Sequence, residues 1–98
     1  MEEEINQPMD ELVEEPSVQV IVLMNQVLLI SKIQEVLADI GQPDCRLINP
    51  YIILGKDNMI SWLSEFTEDN EVMISSDKIL TLVEPNKTLL NAYLEKTQ

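Results

Sequence analysis

Val18-Gln19-Val20-Ile21-Val22-Leu23-Met24-Asn25-Gln26-Val27-Leu28-Leu29-Ile30-Ser31-Lys32-Ile33-Gln34-Glu35-Val36 decides the fold. Two runs rich in β-branched and long apolar side chains are separated by Asn25-Gln26 alone. Such side chains suit a pleated surface, and a two-residue polar break is the length of a tight reverse turn. The stretch therefore reads as a hairpin of residues 18–24 and 27–36. Leu28, Leu29 and Ile30 make both faces of the second strand apolar at its start. Further on, Lys32 and Gln34 alternate with Ile33, so one face leaves the interior partway along, and Ser31 sits near that change.

Downstream, residues 38–44 hold Gly41 and Pro43 and read as a loop, and residues 45–54 read as a third strand. That strand carries Pro50, which lacks a ladder donor and must sit at an edge or a bulge. Gly55-Lys56-Asp57-Asn58 is turn material. Met59, Trp62, Leu63 and Phe66 fit the i, i+3, i+4, i+7 stripe of a short helix capped by Asp57, while Ile60, Trp62 and Phe66 also fit a strand face. A helix or turn is the preferred reading there. Trp62, the one Trp, reads as core or interface filler. Glu68-Asp69-Asn70-Glu71 lacks the alternation, Gly and terminal Glu of a calcium loop, so it reads as a solvated acidic turn. Residues 72–74 and 79–83, joined by Ser75-Ser76-Asp77-Lys78, read as a second hairpin. Glu84-Pro85-Asn86 ends the sheet. A closing helix over residues 86–96, capped by Asn86, places Leu89, Leu90, Tyr93 and Leu94 on one face to cover an apolar surface of the sheet.

The chain has 98 residues, enough for one small core. Apolar residues make up 45% and charged residues 24%, an ordinary globular balance. Six Lys and Arg stand against eighteen Asp and Glu, a net charge of -12. Residues 1–16 hold seven of those acids, no base, and Pro8 and Pro16, so they read as a flexible acidic arm carrying -7 of the charge. Met9, Leu12 and Val13 within it would share one side of a short helix. With no His, the Ser/His/Asp and Cys/His nucleophile systems and His-bearing zinc sites are excluded. The lone Cys45 cannot form an intramolecular disulfide, which points to a reducing compartment, and it reads as a small buried hydrophobe. The acidic start lacks the basic region and apolar core of a signal peptide, and no apolar run approaches the ~20 residues that span a bilayer. A cytoplasmic protein away from membranes is expected. No catalytic residue, metal ligand or cofactor site is read from the chain.

The order of elements, a two-strand opening, a third strand after a short loop, a variable insert and a final tight hairpin, resembles the Sm and Sm-like (LSm) proteins. Leu23-Met24-Asn25-Gln26 matches the turn of that family's first motif, Ser31 stands where its bending Gly belongs, and Ile48-Asn49 with Ile52-Ile53 matches its Met-Asn stretch. Ile74-Ser75-Ser76-Asp77-Lys78-Ile79 occupies the place of the second motif, Ile-Arg-Gly and an apolar strand. With its acidic arm and terminal helix the chain most resembles the divergent Sm-like proteins of marine phage (cyanophage) type. The resemblance implies a mainly β fold, a strongly bent five-stranded antiparallel sheet forming a small open barrel over residues 17–98. It also implies single-stranded RNA as a ligand, with Asn49 as the matching contact and Lys78 as a nearby base; Lys56 is a second base that could meet phosphate. The family's Asp falls on Cys45, with Asp44 one place off, its base-stacking position on Leu47 and its Arg on Ser75. A leucine stacks poorly and a serine brings no charge.

The resemblance implies a homo-oligomeric ring as well. Val72, Met73 and Ile74, and Ile79, Leu80, Thr81 and Leu82, carry no proline and no run of charges, so these edges are open to pairing with another copy. Two functions are expected on these grounds. The first is a non-enzymatic, regulatory or architectural ring in RNA metabolism. The alternative is an acidic adapter or nucleic-acid mimic that engages a basic host protein through its charged surface.

Overall fold

The structure, a computed structural model, describes residues 15–98. The acidic arm, with its Met9, Leu12 and Val13, lies outside the described residues but for Glu15 and Pro16. Strands β1 (Ser17–Leu23) and β2 (Leu28–Glu35) form the expected antiparallel hairpin, closed by a turn in which Gln26 takes φ of 71°. Strand β3 (Cys45–Ile53) pairs with the other side of β2. Strand β4 (Met59–Ser61) pairs with the second half of β3, and β5 (Glu71–Ile74) with its first half. A single 3₁₀ turn (Ser76–Lys78) carries the chain to β6 (Ile79–Val83), which pairs with β1. Helix α1 (Lys87–Thr97) closes the chain. The strand order is β4-β3-β2-β1-β6 with β5 also on β3, and the sheet does not close.

The fold is thus mainly β, antiparallel, with one C-terminal helix. Two expectations are corrected. Residues 72–74 and 79–83 do not pair with each other: although the connection is short, the first pairs with β3 and the second with β1. Residues 59–61 form a strand, because the second half of β3 needs a hydrogen-bonding neighbour and Met59 is drawn under α1. The edge along β3 is therefore split into two short strands, which makes six in place of five.

Alternation along the strands builds two apolar layers. Ile21, Leu23, Leu29, Ile33, Cys45 and Leu47 form the inner one, with Trp62, Val72 and Ile74 packed against it. Ile30, Met59, Leu89 and Tyr93 form the outer one beneath α1, with Val18, Val20, Tyr51 and Ile53. This is why both faces of β2 begin apolar. Trp62 and Cys45 are core filler, as expected.

The two halves of β3 are out of phase. Lys32 faces Ile48 while Ile30 faces Tyr51, so Asn49 and Pro50 together stand opposite Ser31. The extra residue is a β-bulge, and it swaps the faces: Cys45 and Leu47 point into the inner layer, as does Ile52, whereas Tyr51 and Ile53 face the helix. Pro50 lies at this bulge, in the gap between β4 and β5, where its missing donor costs no ladder bond.

Candidate functional site

A bulge leaves backbone groups without ladder partners, and here a side chain from α1 takes them. The fully buried Tyr93 hydroxyl accepts from the Lys32 N–H at 3.2 Å and shares its own proton between the Ile48 and Asn49 carbonyls at 3.0 and 2.9 Å. Ser31, also fully buried, donates to the Ile48 carbonyl at 3.0 Å and lies 2.8 Å from that of Lys32. Burial pushes the Tyr93 phenol above its ordinary value. The Tyr93 ring meets that of Tyr51 edge to face, with centroids 5.8 Å apart. The Asn86 side chain accepts from the Leu89 N–H at 2.9 Å and starts α1 as expected.

Asn49, expected as an RNA contact, is a backbone residue of this bulge. It takes the left-handed conformation, φ 56°, which Asn tolerates better than most residues, and its N–H donates to the Asn70 carbonyl at 2.7 Å. Lys78 is exposed at the end of the 3₁₀ turn, where its carbonyl accepts from the Met24 N–H at 2.8 Å. It lines a cleft of about 490 Å³ with Leu23, Met24, Asn25, Trp62 and Met73. Asn49 does not line that cleft, so the two expected RNA contacts are not brought to one site there. Leu47, at the base-stacking position, is sealed in the inner layer.

Asp44 joins the loop before β3 to the turn after β5. One carboxylate oxygen accepts from the Ser76 N–H at 2.7 Å and the other from the Ser76 hydroxyl at 2.9 Å. Those bonds hold its carboxyl below the usual range. This junction ties Asp44, one place from the position on which the family's Asp falls, to the turn that occupies the place of its second motif. Among the described residues no three of Cys, Asp and Glu gather as a metal site.

The expected interface residues sit on the two outer strands. In β5, Val72 and Ile74 pack against the inner layer and Met73 is exposed; in β6, Ile79 packs inward while Leu80, Thr81 and Leu82 are exposed. Among the described residues, neither β5 nor β6 has a partner on its outer side. Residues 16–98 match the model of a family of unknown function, DUF6561. The chain belongs to that family. The DUF6561 match spans β1 to α1 and so takes in the bulge, the Asp44 junction and both outer strands. Comparison with curated proteins gives no match. No helix among the described residues is long and apolar enough to cross a membrane.

Proposed function

We propose that the protein is a Sm-like subunit that assembles head to tail into a homo-oligomeric ring, with an architectural or regulatory role and no catalysis of its own. The observation that carries this reading is that, among the described residues, the sheet is open at both edges, one formed by β4 and β5 and the other by β6; the proposed ring uses β5 and β6. Among the described residues neither has a strand on its outer side, and β6 adds exposed Leu80 (60% exposed) and Leu82. Helix α1 covers a face of the sheet and pairs with neither edge. Because the two edges differ, β6 of one copy on β5 of the next is a heterologous contact, which closes into a ring when the rotation permits. The strand order and the 3₁₀ connection support the Sm-like reading. On that reading single-stranded RNA would be taken by the cleft that Lys78 and Trp62 line, since Leu47 is closed off.

The test is sedimentation velocity on the full chain. We expect a mass several times 11.2 kDa, falling toward the single chain in Leu80→Asp and in Met73→Asp. Both positions are exposed, unlike Ile74, whose replacement would also disturb the inner layer. A monomeric parent chain, or full mass in both variants, would overturn the ring.

A further inference from the structure

Between β4 and β5 the chain turns out from the edge and back through residues 62–70. The Leu63 carbonyl accepts from the N–H groups of Phe66 at 2.9 Å and Thr67 at 3.1 Å, and the Trp62 N–H donates to the Pro50 carbonyl at 2.9 Å. Leu63 itself holds φ of 71°, a conformation that is unfavourable for a bulky side chain. The outcome is a fixed turn that presents the chain's one Phe to solvent. Phe66 is 83% exposed and walls a cleft of about 450 Å³ with Ile52, Ile60, Trp62 and Leu63 as its apolar sides and Ser61, Ser64 and Glu65 as its polar ones. Ile60 is 52% exposed on the same cleft.

Glu65 is the one charged residue that lines this cleft, and the stretch of chain that carries it is acidic. Residues 57–77 contain Asp57, Glu65, Glu68, Asp69, Glu71 and Asp77 and no base, with Lys56 and Lys78 bordering the stretch. Among the described residues Glu71 alone of the six faces a cation, Arg46 at 3.8 Å. An apolar floor with an acidic rim selects a partner with apolar side chains among cations, since a like-charged partner would be repelled. A second copy fits poorly, with -12 meeting -12 and only six bases to offer. Nucleic acid and anionic membrane share the wrong sign.

We propose that the Phe66 cleft docks a cationic, amphipathic segment of another protein, with Phe66 as the anchor. The docking goes beyond ring assembly and does not depend on it. A rigid aromatic at the centre of a contact is the kind of residue that carries a large share of binding energy, and the acidic rim raises the encounter rate at low salt.

The probe is a helical peptide of Leu and Lys with its apolar residues on one face, titrated into the full chain by calorimetry and by amide NMR. Oligolysine and a scrambled peptide serve as controls. Saturable binding of the amphipathic peptide is expected, with amide shifts centred on Ile60, Trp62 and Phe66. Phe66→Ala should weaken it about tenfold or more while leaving the weaker oligolysine binding unchanged. The variant removes an exposed ring, so its thermal unfolding should match the parent chain. Glu65→Lys, also exposed, should weaken the peptide through charge alone. Shifts centred elsewhere, or affinity unchanged in Phe66→Ala, would overturn the proposal. So would a lower sedimenting mass for Phe66→Ala alone, because the occupant would then be a second copy.

Discussion

The hydroxyl of Tyr93 stands where β3 falls out of step with β2, and it meets three backbone groups that the ladder there leaves over. A buried group stripped of its partner bears its full desolvation penalty, so Tyr93→Phe, which keeps the ring and its packing, isolates that hydroxyl. We expect a loss of about 1–3 kcal/mol in urea unfolding, since more than one backbone group loses a partner. A change of a few tenths would mean that water replaces the phenol. The apolar stripe of α1 was readable from spacing, and Tyr93 belonged to it. Its hydroxyl's task was not readable, because the acceptor at Asn49 lies 44 residues away and exists only once the bulge forms. Ser31 was legible as the place where β2 changes character. Asn49 was expected only as an RNA contact, and its left-handed backbone, which follows from the bulge, was not legible.

Among the elements, the 3₁₀ turn is held from outside by Asp44. Both hydrogen bonds favour the ionised carboxylate, so the folded group titrates below its ordinary value of about 4. The contribution of a depressed carboxylate is complete above the unfolded value and is lost as pH falls through the folded one. We therefore expect the Ser76 amide resonance to hold steady at neutral pH and to move in a single step below pH ~4, with the step absent in Asp44→Ala. A Ser76 amide insensitive to acid in the parent chain would show that the junction is not formed in solution. Strands β1, β2 and β3, and α1, were legible within a residue or two, because alternation and the Asn86 cap act locally. The segment around Met59 was not: its apolar spacing suits a helix as well as a strand, and the choice is made by the unpaired second half of β3. The short link 75–78 looked like a hairpin for the same reason, since local sequence does not report which distant strand is waiting.

At the scale of the whole molecule, every added copy brings -12. Neighbours in an assembly lie within or near a Debye length, about 10 Å at 0.1 M salt, so their repulsion opposes association and is reduced as salt is raised. The apolar edges of β5 and β6 gain little from low salt. The assembled fraction should therefore rise between low and physiological salt, measured by sedimentation at fixed protein concentration. Any RNA held near Lys78 should respond in the opposite sense, because phosphate contacts weaken as salt rises. An assembly that dissolves with salt would be ionic, and the edge-to-edge arrangement would be wrong. The candidate site divided along similar lines. Charge and the outer strands were legible from composition and pattern, whereas the Phe66 turn was not, because a lone Phe in a polar segment gives no sign of being held outward.

The one-residue surplus at Asn49 and Pro50 makes β3 behave like a text whose reading frame changes in mid-line. On either side of it the rule for inward and outward positions is opposite, so the loss or gain of a single residue there would turn half a strand inside out. Length can drift more readily in the exposed loop over residues 37–43. In β3 it cannot, and over evolutionary time that strand should keep its count even where its letters change.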